Sequence, residues 1–409
     1  MADKKPLLSV EDALAAILAN ASGPLDVEDV PLAAAFGRTL ARDLPALRTQ
    51  PPKPLSAMDG YALRAEDAGK GALNVIGESS AGAGFAGVCG PGEAVRIFTG
   101  APMPEGADSV LIQEEAARDG ENVAARTKVT PGKNVRRAGI DFREGETILR
   151  AGRRLSPADV ALAASADHPT LPVARAPRIA VLSTGDELAP PGEPRGPDQI
   201  VASNAYAVLG LIAACGGAAL DLGVAPDQPE AIEAAIRKAL GAGVDVLVTI
   251  GGASVGDRDF VRGALEAEGM ALEFWKINMK PGKPLIHGQI GKTVVLGLPG
   301  NPVSAVVCGE LFLKPLIRAL CGDAAGAAHR IEPARAGADM KPNGPRREYV
   351  RATLAWTEAG QLEATPHKDQ DSSLNSVLAR SQALILRDAQ APALAKGEPV
   401  RILRLTESL

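Results

Sequence analysis

The chain has 409 residues, too many for one ordinary hydrophobic core, so two to four domains are expected. At 46% hydrophobic and 23% charged residues it has the composition of a folded soluble protein, and 3% aromatics argues against the stacking platforms of single-stranded nucleic-acid binders. A net charge of -5 gives no general attraction to nucleic acid or acidic membrane, so an anionic substrate must be met by a local positive field.

Cys89, Cys215, Cys308 and Cys321 are widely spaced, with no Cys-x-x-Cys pair and four histidines in the chain. That pattern predicts buried thiols in a reduced compartment rather than a zinc or iron–sulfur site. No apolar signal segment follows the charged N-terminus and no uninterrupted run reaches the length of a membrane span, which predicts a cytoplasmic protein.

In chain order, Ser9 caps an expected helix through Leu18, with Glu11 and Asp12 in its first turn. A second helix is expected over Leu32 to Leu40, then a proline-rich connector from Pro45 to Pro54. From Tyr61 to about Glu146, short β-like runs separated by glycine and proline predict a small β-rich domain inserted into a helical one. Within it, Gly82-Ala-Gly84-Phe-Ala-Gly87 matches a dinucleotide-binding pattern, but Val-Cys-Gly-Pro-Gly follows and cannot open a helix, so a turn is expected. Ser156 and Pro157 start another helix, and Leu171 to Pro177 reads as a link.

From Arg178 the pattern becomes strand and helix in alternation. Strands are expected at Arg178 to Leu182, Ala218 to Val224, Val244 to Ile250, Leu272 to Lys276 and Thr293 to Leu298. Helices are expected at Ser203 to Cys215, Pro229 to Leu240, Asp259 to Glu268 and Pro302 to Leu320. This predicts a mostly parallel sheet covered on both faces, with ligands outside the carboxyl ends of its strands. Beyond Ala327, strands near Tyr349 to Trp356, Leu384 to Leu386 and Val400 to Leu405 predict a separate β-rich domain. The expected units are 1–50 with 142–177, 51–141, 178–326 and 327–409.

Three segments of the central region carry candidate chemistry. Ser183-Thr184-Gly185-Asp186-Glu187-Leu188 leaves the first strand with two carboxylates, or is a polar exit turn. Gly251-Gly252-Ala253-Ser254-Val255-Gly256-Asp257-Arg258-Asp259 leaves another; its glycines permit a nest of amides for an anion, and Asp257, Asp259 and Asp227 would share that edge to bind a heterocycle or a hydrated magnesium ion. Lys276, Lys280 and Lys283, between prolines, form a positive site suited to an oxyanion, or a solvated surface cluster. Downstream, Leu298-Pro299-Gly300-Asn301-Pro302-Val303-Ser304 has Asn301 placed as a helix cap or a ligand contact. No catalytic triad is evident.

Together with Ser56-Ala-Met-Asp59-Gly60-Tyr61-Ala62, Thr99-Gly100-Ala-Pro-Met-Pro and Asn134-Val-Arg136-Arg137-Ala-Gly, these motifs resemble the molybdopterin molybdenumtransferase family, which includes bacterial MoeA and the E domain of gephyrin. The resemblance runs over nearly the whole chain and rests on seven motifs in order. It implies an elongated helical N-terminal domain with an inserted β domain, a three-layer α/β molybdopterin-binding domain and a C-terminal β-barrel, in a homodimer. It also implies magnesium-dependent insertion of molybdate into adenylylated molybdopterin with release of AMP.

By the same resemblance, Asp59, Thr99, Arg137 and Asp141 would act across the dimer interface. Glu187, Asp227 and Asp259 would hold the pterin and the magnesium water shell, with Glu187 and Asp227 the metal-proximal pair. Thr184, Gly185, Asp186, Gly251, Gly252, Asp257, Pro299 and Asn301 would line the cofactor site. Ser254 would cradle the phosphate and Lys276 and Lys280 would neutralise it. Lys280, Lys283, Pro284 and Ser304 would meet molybdate, completed by Arg346 and Ser373. Lys368-Asp-Gln-Asp-Ser-Ser departs from the more glycine-rich turn usual there, and Ala253 replaces a common valine. Partners would be a molybdopterin adenylyltransferase and molybdoenzyme-delivery proteins, not nucleic acid or membrane. The alternatives are a non-catalytic pterin-binding or scaffold protein, and a molybdopterin adenylyltransferase.

Overall fold

A computed structural model describes residues 7–21, 23–252 and 260–405. The N-terminal helix, Val10–Ala19, is capped as its sequence predicts, the Ser9 hydroxyl oxygen accepting the Asp12 N–H at 3.0 Å. Val10, Ala13 and Ile17 enter the same core as Ile317 and Leu320 far along the chain. Glu11 pairs with Arg347, so this helix is fastened to the C-terminal region as well.

The next segment differs from expectation in two places. Only Leu32–Ala35 is helical of the expected Leu32 to Leu40, because Gly37 takes φ of 73° and turns the chain away. Conversely, most of the expected link is a strand: Thr170–Ala174 pairs antiparallel with Val27–Pro31. Pro172 is tolerated there because the ribbon has only two strands. The helix Pro157–Ser165 packs beside it, closed by a capping box between Ser156 and Asp159.

Between these pieces lies a six-stranded sheet in the order Ser109–Ile112, Gly60–Leu63, Glu93–Ile97, Leu73–Ser79, Asn122–Ala125, Ala116–Asp119. The glycine pattern at 82–87 lies in a turn, as its flanking sequence requires.

The central domain comprises β1 (Arg178–Thr184), α1 (Asn204–Cys215), β2 (Ala218–Ala225), α2 (Pro229–Gly241), β3 (Val246–Ile250), α3 (Phe260–Ala267), β4 (Ala271–Lys276), β5 (Pro284–Ile290), β6 (Thr293–Leu298) and α4 (Pro302–Cys308). Helix α4 continues through a π-helical segment, Gly309–Leu313, into Lys314–Leu320. The sheet order is β2-β1-β3-β6-β5-β4; the first four strands are parallel and β5 and β4 complete an antiparallel edge. Alternate residues feed two cores. Ile179 and Val181 meet the α1 and α4 side, whereas Ala180 and Leu182 meet α2 and α3. Burial on both faces is why β1, β3 and β6 read as continuous apolar runs.

The C-terminal region is a closed five-stranded barrel. Arg347–Trp356 pairs in turn with Leu362–Pro366, which meets Ile331–Ala336, then Pro399–Arg404, then Ala383–Arg387, which returns to Arg347–Trp356. Two of its strands were not expected: Ile331–Ala336, which contains Pro333 and small residues, and Leu362–Pro366, whose sequence LEATP has a single large apolar residue. A short strand of the central domain, Met279–Lys280, joins the barrel in parallel against Arg347–Trp356.

Candidate active site

Four parallel strands end at one edge, and a cleft of about 870 Å³ opens there. Each wall follows from local sequence. After β1 the chain turns at Gly185 (φ 149°) and places Glu187 on the cleft. After β2 it places Asp227 there, and the Asp227 N–H donates to Asp186 Oδ1 at 3.0 Å, tying the two strand exits together. After β3 come Gly251 and Gly252, with φ of 96° and 59°. A Cβ on Gly251 would stand 2.7 Å from the Thr184 carbonyl oxygen, and one on Gly252 would stand 2.2 Å from Val261 Cγ2. Only glycine fits both the φ and the space. After β6, Pro299, Gly300 and Asn301 lead into α4.

Two helices start on this cleft, and neither is capped by its own side chain. Asn301 occupies the position before α4 without a capping hydrogen bond, so the expected cap is not made. Ser203 precedes α1, also without one; its hydroxyl oxygen instead accepts from Asn375 Nδ2 at 3.2 Å. The Asn204 amide donates to the Gly300 carbonyl at 2.7 Å and links the two helix starts. Helix N-termini carry partial positive charge and amides that suit an anion. The Thr184 hydroxyl is buried without a hydrogen-bond partner among the described residues.

Of the residues singled out in the sequence, Thr184, Gly185, Glu187, Asp227, Gly251, Gly252, Pro284, Pro299, Asn301 and Ser373 line this cleft. Asp186 sits at its rim, holding Asp227. Ser304 is buried within α4. Lys276, Lys280, Lys283 and Arg346 gather around the turn between β4 and β5 instead. Lys276 Nζ lies 4.5 Å from the centre of the Trp275 ring, and Lys280 pairs with Glu348 at 2.7 Å. Arg346 Nη1 donates to the Met279 carbonyl at 3.4 Å, and the Lys283 carbonyl accepts the Ile277 N–H at 2.9 Å. Ser254, Asp257 and Asp259 lie outside the described residues.

Asp59, Thr99, Arg137 and Asp141 lie on loops of the inserted sheet, and none lines the cleft of its own chain. Asp59 and Thr99 are paired nonetheless. Asp59 Oδ1 accepts the Thr99 N–H at 2.7 Å and its hydroxyl at 2.8 Å, and these bonds, the N–H first, hold Asp59 below its ordinary carboxylate value. Arg137 is exposed, and the Asp141 N–H donates to Gln50 at 3.1 Å.

The sequence reading missed Asn204, Asn375 and the strand pair Leu188–Ala189 with Ile200–Val201 that flanks the cleft. The start of α1 was visible as Ser203-Asn204; that it meets the start of α4 depends on strand order, which periodicity does not report.

A cleft at the carboxyl edge of a parallel sheet, with two acids inside it and a cationic turn beside it, is the ligand-binding edge of a doubly wound α/β domain. Three family models match the chain: the MoeA N-terminal region (domain I and II) at residues 8–166, a probable molybdopterin binding domain at 180–319, and the MoeA C-terminal region (domain IV) at 333–405. A molybdopterin molybdenumtransferase of Haemophilus influenzae is 34% identical over 97% of this chain and 98% of its own. That of Nostoc sp. is 35% identical over 93% and 89%, and that of Bacillus subtilis 33% over 93% and 90%. The crystal structure of a molybdopterin biosynthesis MoeA protein from Pyrococcus horikoshii superposes with a TM-score of 0.83 at 29% identity, covering 98% of this chain and all of that one. The chain belongs to the molybdopterin molybdenumtransferase family.

Proposed function

We propose that the protein inserts molybdate into adenylylated molybdopterin and releases AMP, forming the molybdenum cofactor. The observation that carries this reading is the cleft itself, where two open helix starts and the Gly251-Gly252 turn face Glu187 and Asp227 in one space. The helix starts and glycine amides bind the phosphate of the substrate, and the Asp186 to Asp227 hydrogen bond keeps the second acid in register with the first. The cationic turn with Lys276, Lys280, Lys283 and Arg346 lies at the junction of cleft and barrel, where Pro284 and Ser373 complete the wall; it offers fixed positive charge to molybdate.

The residues present fit magnesium in one respect. Two carboxylates on one cleft match an ion that keeps several waters and leans on substrate phosphates, although no cluster of three or more metal-ligating side chains occurs among the described residues. Glu187 and Asp227 would hold it, and it would supply charge neutralisation at the phosphate when bound.

Asp59, Thr99, Arg137 and Asp141 are read as contributions from the second subunit of a homodimer, since none of them lines the cleft of its own chain although Asp59 and Thr99 are held together by hydrogen bonds. The four units are taken as 1–50 with 142–177, 51–141, 178–326 and 327–409. A cytoplasmic setting accords with four cysteines that are free and buried.

The test supplies purified protein with adenylylated molybdopterin, magnesium and molybdate and follows AMP and active cofactor together. Asp227→Asn abolishes both products while the folded signal is unchanged. Retained AMP release in that variant overturns the site. Consumption of ATP and molybdopterin without processing of the adenylylated compound would instead identify an adenylyltransferase.

A further inference from the structure

A guanidinium presents its donors in a rigid planar fork and lies well against an aromatic face, so it can fix several chain segments at once. Arg96 stands on the strand Glu93–Ile97 of the inserted sheet, directly opposite Tyr61 of the neighbouring strand. Its guanidinium carbon lies 5.2 Å from the centre of the Tyr61 ring and 4.8 Å from that of Phe98. Nη1 donates to the Gly60 carbonyl at 3.1 Å and Nη2 to Gln113 Oε1 at 2.9 Å. Gly60 follows Asp59 in the chain, and the Gln113 N–H donates to the Asp59 carbonyl at 3.1 Å. Arg96 therefore grips the Asp59 loop directly, and again through the residue that holds its backbone.

The Asp59 side chain is anchored by the same group of residues. Its Oδ1 takes both Thr99 bonds, while Oδ2 accepts no hydrogen bond among the described residues. Thr99 follows Phe98, whose ring meets Arg96, so this anchor too is tied to the guanidinium. The Thr99 N–H and hydroxyl hold the Asp59 carboxyl below its ordinary value, and the Arg96 charge acts in the same direction. The backbone beside Asp59 has little freedom, since a Cβ on Gly60 would stand 2.0 Å from the Leu111 carbonyl oxygen of the adjacent strand. Three segments that meet at Asp59, namely its own strand start, Phe98-Thr99 and Gln113, thus share one arginine.

We propose that Arg96 is a positioning residue for the Asp59 carboxylate: it holds the three segments together so that Oδ1 stays on Thr99 and Oδ2 is left for a group in the cleft of the second subunit. This rests on the reading of Asp59 as a contribution to that cleft, as proposed above. A purely structural arginine would lower the amount of folded protein, and its loss would multiply with that of Asp59 instead of acting through it.

The experiment measures kcat and KM for AMP release from adenylylated molybdopterin by the full-length protein, with magnesium and molybdate present. The variants are Arg96→Met, Arg96→Lys, Gln113→Ala, Asp59→Asn and the double variant Arg96→Met with Asp59→Asn. Arg96→Met keeps an apolar chain beside the rings and lowers kcat about tenfold, with KM changed less than about threefold. Arg96→Lys keeps the charge but not the fork, and recovers less than about half of the loss. Gln113 is exposed, and Gln113→Ala lowers kcat about threefold. Added to Asp59→Asn, Arg96→Met costs no more than about a further twofold, because the group it serves is already gone. Parental kcat in folded Arg96→Met, parental kcat in Arg96→Lys, or losses that multiply in the double variant overturn the inference. Should Arg96→Met not fold, Gln113→Ala decides, because it keeps the charge and removes only one anchor; parental kcat there overturns the inference. Asp59→Asn separates the two failures: if it releases AMP at the parental rate the reading of Asp59 has failed, whereas if it is impaired and Arg96→Met is not, only the positioning role has failed.

Discussion

At Gly282 a single missing side chain lets the lysine turn lie on helix α4. The residue has φ of 96°, and a Cβ there would stand 2.5 Å from Cys308 Sγ, which is fully buried. Gly282→Ala is expected to cost about 2 kcal/mol from strained backbone and overpacking, read by denaturant unfolding. Adding Cys308→Ala should return the packing part and leave the backbone part, so partial recovery in the double variant separates the two. Asp59 poses the opposite case, a half-buried acid whose bonds to Thr99 organise a loop that does not line its own chain's cleft. Asp59→Asn keeps an acceptor for Thr99. Its melting temperature should match the parent, while AMP release falls at least about tenfold, as for loss of a charge that acts on the reaction. Charges of this kind were legible as oddly specified loops, Ser56 to Ala62 and Thr99 to Pro104. Arg351 was not, because an arginine in a β-run reads as an outward-facing residue; it does face out of the barrel, and what buries it is the 367–373 loop folded over that face.

Among the elements, the apolar strands β1, β3 and β6 of the central domain were readable because nearly every side chain is buried whichever face it takes. The elements that escaped are those whose stability is borrowed. Thr170–Ala174 depends on Val27–Pro31, and Ile331–Ala336 has a barrel neighbour on each side, so neither needs a strong pattern of its own. The helix Pro157–Ser165 is the reverse, specified locally by its start. Ser156 Oγ accepts the Asp159 N–H at 3.2 Å and Asp159 Oδ2 accepts the Ser156 N–H at 2.9 Å. Ser156→Ala should cost about 1 kcal/mol in thermal or denaturant unfolding. Burial alone would raise the Asp159 carboxyl, but the Ser156 hydroxyl and N–H and the Arg153 guanidinium outweigh it and hold it below its ordinary value of 3.8. Its contribution to stability is therefore complete above that value and is lost as pH falls through the lower folded-state value. An Asp159→Asn variant should show a shallower decline in stability over that acid range than the parent.

For the molecule as a whole, the decisive question is how separate units share one reaction. Within the chain, Arg154 bridges the N-terminal segment to the central domain: its Nε donates to the Gly37 carbonyl at 3.0 Å and Nη2 to the Ala214 carbonyl at 2.9 Å, at the opposite end of α1 from the cleft. Arg154→Ala should increase hydrogen exchange around Ala213 to Gly217 without unfolding the inserted sheet. Between chains, the proposal that the site is assembled from two subunits of a homodimer makes a sharper prediction. Refolding Asp59→Asn and Asp227→Asn chains together in equal amounts should restore about a quarter of parental activity, since half the dimers are mixed and each holds one intact site. No recovery, with mixed dimers confirmed by a different affinity tag on each variant, would place both residues in one chain's site.

The strand Met279–Lys280 belongs by sequence to the central domain and by hydrogen bonding to the barrel. No cut through the chain therefore separates the two cleanly. A truncation at residue 327 strands those two residues without their neighbour and uncovers the lysine turn, so a protein ending there should misassemble even though its central sheet is entire. Grafting works the same way: a barrel exchanged between relatives must travel with residues 277–284, or the transplanted strand will meet an edge that evolved with another.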